Sequence, residues 1–337
     1  MKRLRPPFVV GCLVAGMMVL VFFLWIVLRI DGVRVTDGVD DLGELVAALC
    51  AGFVCAVAAR RAPAGRTAWI LLSASSFAWA VGETLWSYYD LIDGTRVPFP
   101  SLADVGFLTA VPLAFAGLLL YPCGSRRTTD HVRGFLDGSI IATSLLFASW
   151  ATILGPLYRS HQGGVLKQVL SLAYPVSDVI MVSLVIILMS RTRSRGRVSL
   201  SLVMAGVVAF AVADSSFTYL TDLNNYGSGN FLDTGWVAGY LLIGLGALWT
   251  ITAPQQKTTP VETSSISLVA PHVPVLIVLA VTAIQLLRGR DIEPVSWIMA
   301  FALVMLVLGR EALRLWDQRA PFRHPGATAA PVGGGQS

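Results

Sequence analysis

Residues 79–107 read WAVGETLWSYYDLIDGTRVPFPSLADVGF, and they set two acids, Glu83 and Asp104, inside apolar sequence. On a helix Trp79, Glu83, Trp86 and Ser87 share one face, because they stand four, three and four residues from the acid. The same offsets recur at Phe210, Asp214, Phe217 and Thr218. Tyr219 matches Tyr88, and DTGW at Asp233–Trp236 matches DVGF at Asp104–Phe107. Two acid-bearing helical hairpins therefore frame the chain, and the remainder reads as scaffolding around them.

Composition decides the class. Of 337 residues, 55% are hydrophobic and only 13% charged, with a mean hydropathy of +0.69. Soluble domains carry about 25% charged residues, so this chain is too apolar to cover itself with a wetted surface. It reads as an all-α integral membrane protein whose principal partner is the lipid bilayer. A span needs about 20 apolar residues. That length predicts ten spans, near 8–30, 42–60, 67–92, 101–122, 134–156, 166–190, 198–221, 231–253, 267–287 and 294–316. Residues 1–7 precede the bundle at 8–316. The stretch 317–337 starts as a charged helical continuation and becomes a Pro-, Gly- and Ala-rich tail expected to be disordered.

Placing the N-terminus in the cytoplasm puts 18 of the 25 basic residues on the cytoplasmic side. Among them are Lys2, Arg3, Arg5, Arg60, Arg61, Arg126, Arg127, Lys257, Arg310 and Arg323. That bias is the positive-inside pattern, and it orients the protein with both termini inside. It also accounts for the net charge of +5 without nucleic acid, because SRTRSRGR (190–197) is a short turn between spans. The acids Asp31, Asp37, Asp40 and Asp41 fall between the first two spans and are expected to form a solvated outer turn. DGVRVTDGVDD lacks the spacing and terminal Glu of an EF-hand loop.

An acid at the centre of a span costs about 2.5–3.5 kcal/mol on insertion scales. Glu83, Asp104, Asp178, Asp214 and Asp233 should therefore face the bundle interior. Counting along the spans brings all but Asp178 to one depth beneath the outer surface, beside Trp79, Trp86, Phe210 and Phe217. These nine residues form the candidate ligand pocket, acidic and aromatic-walled, suited to a cation, a protonated amine or a small polar molecule. Plainer roles stand beside that one: interfacial aromatic belts, carboxylates at helix starts, and hydrogen bonds between helices. Asp178 follows Pro175 by three residues, where a kink is expected.

Glu83 and Asp214 lie four spans apart, so hairpins 67–122 and 198–253 form a parallel repeat. The middle hairpin, 134–190, is a degenerate copy, with Ser149 and Trp150 where Glu83 would stand and Asp137 at the cytoplasmic end. The four cysteines and four histidines show no metal-ligand spacing, and no cofactor or metal is expected.

GETLWSYYD, PFPSLADVGFL, AYPVSD and LDTGWVAGYLLIGLGAL together resemble the N-terminal membrane region of bacterial cyclic-di-GMP signalling proteins. In those proteins a multi-span sensor module precedes GGDEF and EAL domains. The likeness covers roughly residues 40–316, and GREALRLWDQRA (309–320) is similar to the helix that leads into the catalytic part. This chain has no GGDEF or EAL sequence, so the resemblance implies sensing in the bacterial cytoplasmic membrane but neither cyclase nor phosphodiesterase activity. The expected function is that of a stand-alone sensory or regulatory membrane protein reporting to a cytoplasmic partner. A proton- or cation-coupled transporter is the alternative. An enzyme is not expected, because no nucleophile–base pair or paired deep aspartate motif is evident.

Overall fold

Apolar residues at helical spacing build helices throughout the computed structural model, which describes residues 6–62, 64–93, 97–122, 128–160, 164–192, 194–223, 225–252, 273–289 and 293–319. In chain order the helices are α1 (Pro6–Leu28), α2 (Val33–Arg61), α3 (Arg66–Ser87), α4 (Ala103–Leu119), α5 (Thr128–Ser149) and the short α6 (Gly155–Ser160). They continue with α7 (Gly164–Arg191), α8 (Ser194–Asp222), α9 (Thr234–Thr252), α10 (Val273–Leu287) and α11 (Pro294–Arg319). Among the described residues there is no strand. Single π-helical turns, Tyr88–Asp93 and Trp150–Leu154, extend α3 and α5.

Each of the ten expected spans overlaps a helix, although α4 with 17 residues and α10 with 15 are shorter than a full span. Among the described residues six helical stretches are long and apolar enough to cross a membrane: Pro6–Leu28, Val33–Arg61, Phe135–Leu154, Gly164–Met189, Gly196–Thr221 and Phe231–Thr252. The outer faces agree with that reading. On α1 alone, Val10, Leu13 and Met17 are all more than half exposed, a surface that suits lipid and not water. The protein is thus all-helical, and its composition and surface point to a membrane protein. Part of the charge bias lies outside the described residues, at Lys2, Arg3, Arg5, Arg126, Arg127, Lys257 and Arg323. So do the tail beyond Arg319 and the first residues of the ninth expected span.

One expectation is corrected. The second span begins at Val33 instead of near residue 42, so Asp37, Asp40 and Asp41 lie within α2 and not in a solvated turn. Asp40 and Asp41 are each only 2% exposed. The reason is periodicity: Asp37, Asp40, Asp41 and Glu44 follow the i, i+3, i+4, i+7 rule that gathers residues on one helical face. The helix α7 runs as one element from Gly164 to Arg191 with Pro175 inside it.

The core has two clusters, one joining α1, α2, α3, α4, α8 and α9 and the other α2, α3, α4, α7, α8 and α9. Small residues make α2 the central strut. Ala47, Ala48, Ala51, Cys55, Ala58 and Ala59 are buried, which lets α3 and α9 approach its backbone closely. A third, smaller cluster joins α5 to α10 and α11 through Ile140, Phe147, Val278 and Leu303. There the Arg310 guanidinium meets Asp137 at 2.6 Å, and Trp150 Nε1 donates to Glu293 at 2.9 Å.

The hairpins α3–α4 and α8–α9 pack in the same antiparallel register. A Cβ placed on Gly106 would lie 2.5 Å from Gly82 N and 2.8 Å from the Ala78 carbonyl oxygen. On Gly235 it would lie 2.9 Å from Ala213 Cβ and 3.0 Å from the Ala209 oxygen. Ser75 donates to the Ala110 carbonyl, and Gly206 abuts the Gly239 carbonyl in the corresponding place. Gly117 meets Ala68 and Leu72, as Gly246 meets Ser199 and Val203. Only glycine allows backbones this close.

Candidate functional site

The start of α4 and the start of α9 are built alike. In DVGF the Asp104 Oδ2 accepts from the Ser101 backbone N–H at 2.6 Å, while Ser101 Oγ accepts from Ala103 N–H at 3.2 Å. In DTGW the Asp233 Oδ2 accepts from Asn230 N–H at 2.9 Å, while Asn230 Oδ1 accepts from Leu232 N–H at 3.2 Å. Both are reciprocal caps that satisfy otherwise orphaned backbone donors at a helix start. Each acid then uses its second oxygen for a tyrosine. Tyr174 O–H donates to Asp104 Oδ1 at 2.5 Å, and Tyr226 O–H donates to Asp233 Oδ1 at 3.1 Å.

Between the hairpins lies a cavity of about 130 Å³. A buried water needs about 10–15 Å³ on the same measure, so this space holds several waters or a small organic cation. Eight of the nine candidate residues line it: Glu83, Asp104, Asp178, Asp214, Trp79, Trp86, Phe210 and Phe217. Asp233 stands outside the lining, 1% exposed. Three acids missed in the sequence, Asp40, Asp41 and Glu44 of α2, complete the wall, together with Phe107, Tyr174, Tyr226, Trp236 and Tyr240. Two signals could have found the α2 acids. One is their helical spacing; the other is DLGE at Asp41–Glu44, a third copy of the D-x-G pattern.

The acids divide into two groups. Glu83 faces Glu44 and neighbours Asp40 and Asp41, while Asp40 also faces Asp233. On the opposite wall Asp178 neighbours Asp214, whose Oδ1 accepts from Trp236 Nε1 at 2.6 Å. Glu83 and Asp214 therefore point into one cavity but keep different company. Asp178 Oδ2, Asp40 Oδ1 and Asp41 Oδ2 are buried without a hydrogen-bond donor. One carboxylate oxygen from each of Asp40, Glu44 and Asp233 lies within 4.8 Å of the other two, a spacing that could hold a metal ion.

Among the described residues seven carboxylates line this space and no lysine, arginine or histidine does. Burying an ion without a partner costs several kcal/mol even after relaxation. Positive charge, carried by protons or by a bound cation, must therefore accompany the site. The aromatic walls suit the second. Trp79 lies 5.1 Å from Phe107 and 4.9 Å from Tyr240, ring centre to ring centre, and Phe210 packs edge-on to Tyr240 at 4.7 Å. Ring faces of this kind attract organic cations at about 6 Å or less.

Above the cavity Phe217 sits among Trp86, Phe99, Tyr174, Tyr226 and Trp236. Trp86, Phe217 and Tyr226 also line a second, more polar pocket with Asp90, Lys167 and Ser228. These three rings form a septum between the cavity and the end of the bundle that carries residues 97–102 and 225–230. Tyr226 lies in the second of these. Burial and the Asp233 carboxylate beside it hold its phenol well above the ordinary value.

No protein-family model matches the chain, and neither the curated proteins nor the solved structures include one that is significantly similar to it.

Proposed function

We propose that this chain is a sensory or regulatory membrane protein that binds a small organic cation, such as a protonated amine, in the acidic, aromatic-walled cavity between α3–α4 and α8–α9. The observation that carries the reading is seven carboxylates around one cavity with no basic side chain on its wall among the described residues. Asp214 and Asp178 supply charge on one side, Glu83 and the α2 acids on the other, and Trp79, Phe210 and Tyr240 supply the ring faces. The cavity lies under the end of the bundle that the arginine bias assigns to the outside, so the ligand enters past the aromatic septum. The matched registers of the two hairpins support a parallel internal repeat, with both termini in the cytoplasm. The resemblance to sensor regions of cyclic-di-GMP signalling proteins supports a regulatory output through α11 to a cytoplasmic partner in a bacterial cell membrane.

A ligand shifts a conformational equilibrium only through differential affinity for its states. The test is a panel of mono- and polyamines against the detergent-solubilised full chain, read by thermal unfolding. A ligand at 100 times its Kd adds about 2.7 kcal/mol of apparent stability. The expected result is stabilisation by at least one amine, lost in Asp214→Asn and Glu83→Gln. Lack of stabilisation by every amine, or its persistence in both variants, defeats the reading. The septum and the pocket beyond it also favour a second reading, cation-coupled transport along that route. Saturable uptake into proteoliposomes that disappears in Asp178→Asn would establish it.

A further inference from the structure

We propose that Asp40, Glu44 and Asp233 form a site for a hard divalent cation, Ca²⁺, Mg²⁺ or Mn²⁺, in the wall between α2 and the start of α9. The inference goes beyond the amine-binding reading and does not need it: Asp233 stands outside the cavity lining, Asp40 and Glu44 line it, and a bound ion would take up part of the charge an amine would otherwise meet.

Four observations converge on the trio. Asp40 and Glu44 are one helical turn apart on α2 and so present their carboxylates from one face. Asp233 approaches them from the other side, and one oxygen from each residue lies within 4.8 Å of the other two. Calcium binds oxygens at about 2.3–2.6 Å, so two ligands on opposite sides of it stand about 5 Å apart, and the trio falls inside that limit. The three residues are buried, at 2%, 5% and 1% exposure.

Second, two of the carboxylates are already oriented. Gly229 N–H donates to Asp40 Oδ2 at 2.6 Å, leaving Asp40 Oδ1 buried with no donor. Asp233 is fixed by Asn230 N–H and by the Tyr226 hydroxyl. Outer partners of this kind set ligand geometry before an ion arrives. Third, no ion pair neutralises the trio among the described residues. Three carboxylates facing one another need a counter-charge, and a divalent ion supplies it at a single point.

Fourth, the donor set selects the class of ion. All three donors are carboxylate oxygens, with no imidazole or thiolate, which suits calcium, magnesium or manganese and disfavours zinc or copper. Glu83, hydrogen-bonded to Glu44, would orient that ligand, and water would fill the remaining positions.

The experiment uses the full chain in detergent, stripped with chelator and titrated separately with Ca²⁺, Mg²⁺ and Mn²⁺. Affinity is read by calorimetry, and stabilisation by thermal unfolding. Mn²⁺ also reports its own coordination by electron paramagnetic resonance. The expected result is one saturable high-affinity site for at least one of these ions, with affinity reduced tenfold or more in Asp40→Asn and in Asp233→Asn. Asp214→Asn, on the far wall, keeps wild-type metal affinity. Metal-free Asp40→Asn unfolds at a higher temperature than metal-free wild type, because one like charge is gone, and no longer gains from the metal. Tyr226→Phe, which leaves all three ligands in place, weakens the metal severalfold and serves if a ligand variant does not fold. Absence of saturable binding by all three ions in monodisperse wild type overturns the proposal. Asp40→Asn and Asp233→Asn binding within twofold of wild type overturn it too. Metal binding without amine binding would defeat only the amine reading, and amine binding without metal would defeat only this one.

Discussion

Replacing Gly106 by alanine tests the packing on which the site rests. The added methyl would lie 2.5 Å from Gly82 N, 2.6 Å from Gly82 Cα and 2.8 Å from the Ala78 oxygen, all of them backbone atoms that no rotamer change can move. Relieving those contacts to an ordinary separation pushes α3 and α4 apart by roughly 0.5–1 Å, and overpacking of this kind costs about 1–3 kcal/mol. Glycine to alanine inside a helix also returns about 1 kcal/mol of helix propensity. The reference is therefore Gly16→Ala, where nothing lies within 4 Å and the propensity gain acts alone. Relative to that control, Gly106→Ala is expected to lose about 1–3 kcal/mol, an unfolding constant raised roughly 5- to 150-fold. Gly235→Ala meets its neighbours at 2.9 and 3.0 Å and should lose less. The assay is reversible denaturant unfolding in mixed micelles, followed by tryptophan fluorescence. If Gly106→Ala matches Gly16→Ala in stability, the backbone contact between α3 and α4 is wrong, and the position of Glu83 relative to Asp104 falls with it.

Tyr174→Phe removes the 2.5 Å bond to Asp104 and should cost about 1.5–3 kcal/mol, with most of that loss absent in an Asp104→Asn background, as a double-mutant cycle in the same unfolding assay would measure. Arg310→Met breaks the half-buried pair with Asp137. About 1–3 kcal/mol of stability should go, and Asp137→Asn should recover part of it in the same assay. Tyr226 gives a pH prediction: its phenol is held above the ordinary tyrosine value of 10.0. The stability it contributes is then full below that value and is lost as the pH rises through the folded-state value. Alkaline unfolding of wild type should therefore steepen above pH 10 relative to Tyr226→Phe, and ultraviolet titration should show one tyrosine in the wild type that ionises late.

Ten helices were legible in the sequence because length and apolar content set them independently of packing, and boundaries such as 164–191 or 234–252 fall within a few residues of the apolar runs. The pairing of Glu83 with Trp79 and Trp86, and of Asp214 with Phe210 and Phe217, was legible because helical periodicity fixes which side chains share a face. What escaped was the start of α2, residues 33–41. Its first turns are acidic enough to lower the hydropathy below that of a span, so they passed for a turn in water, and only the spacing of Asp37, Asp40, Asp41 and Glu44 reveals the helix. The partition of the acids into two groups was also out of reach, because it depends on which helix stands beside α2. Nothing in local sequence says that Asp40 meets Gly229 and Asp233, 189 positions away in the first case.

The glycine-mediated contacts have a mechanical consequence. Backbone seated against backbone, with almost no side chain between, leaves α3–α4 and α8–α9 little room to bend, so each pair behaves as a stiff plate. Compliance is concentrated where the plates face each other across carboxylates and rings. An occupant there would act as a wedge or a clamp, and with stiff plates a small displacement at one end of a helix would be passed on to its other end.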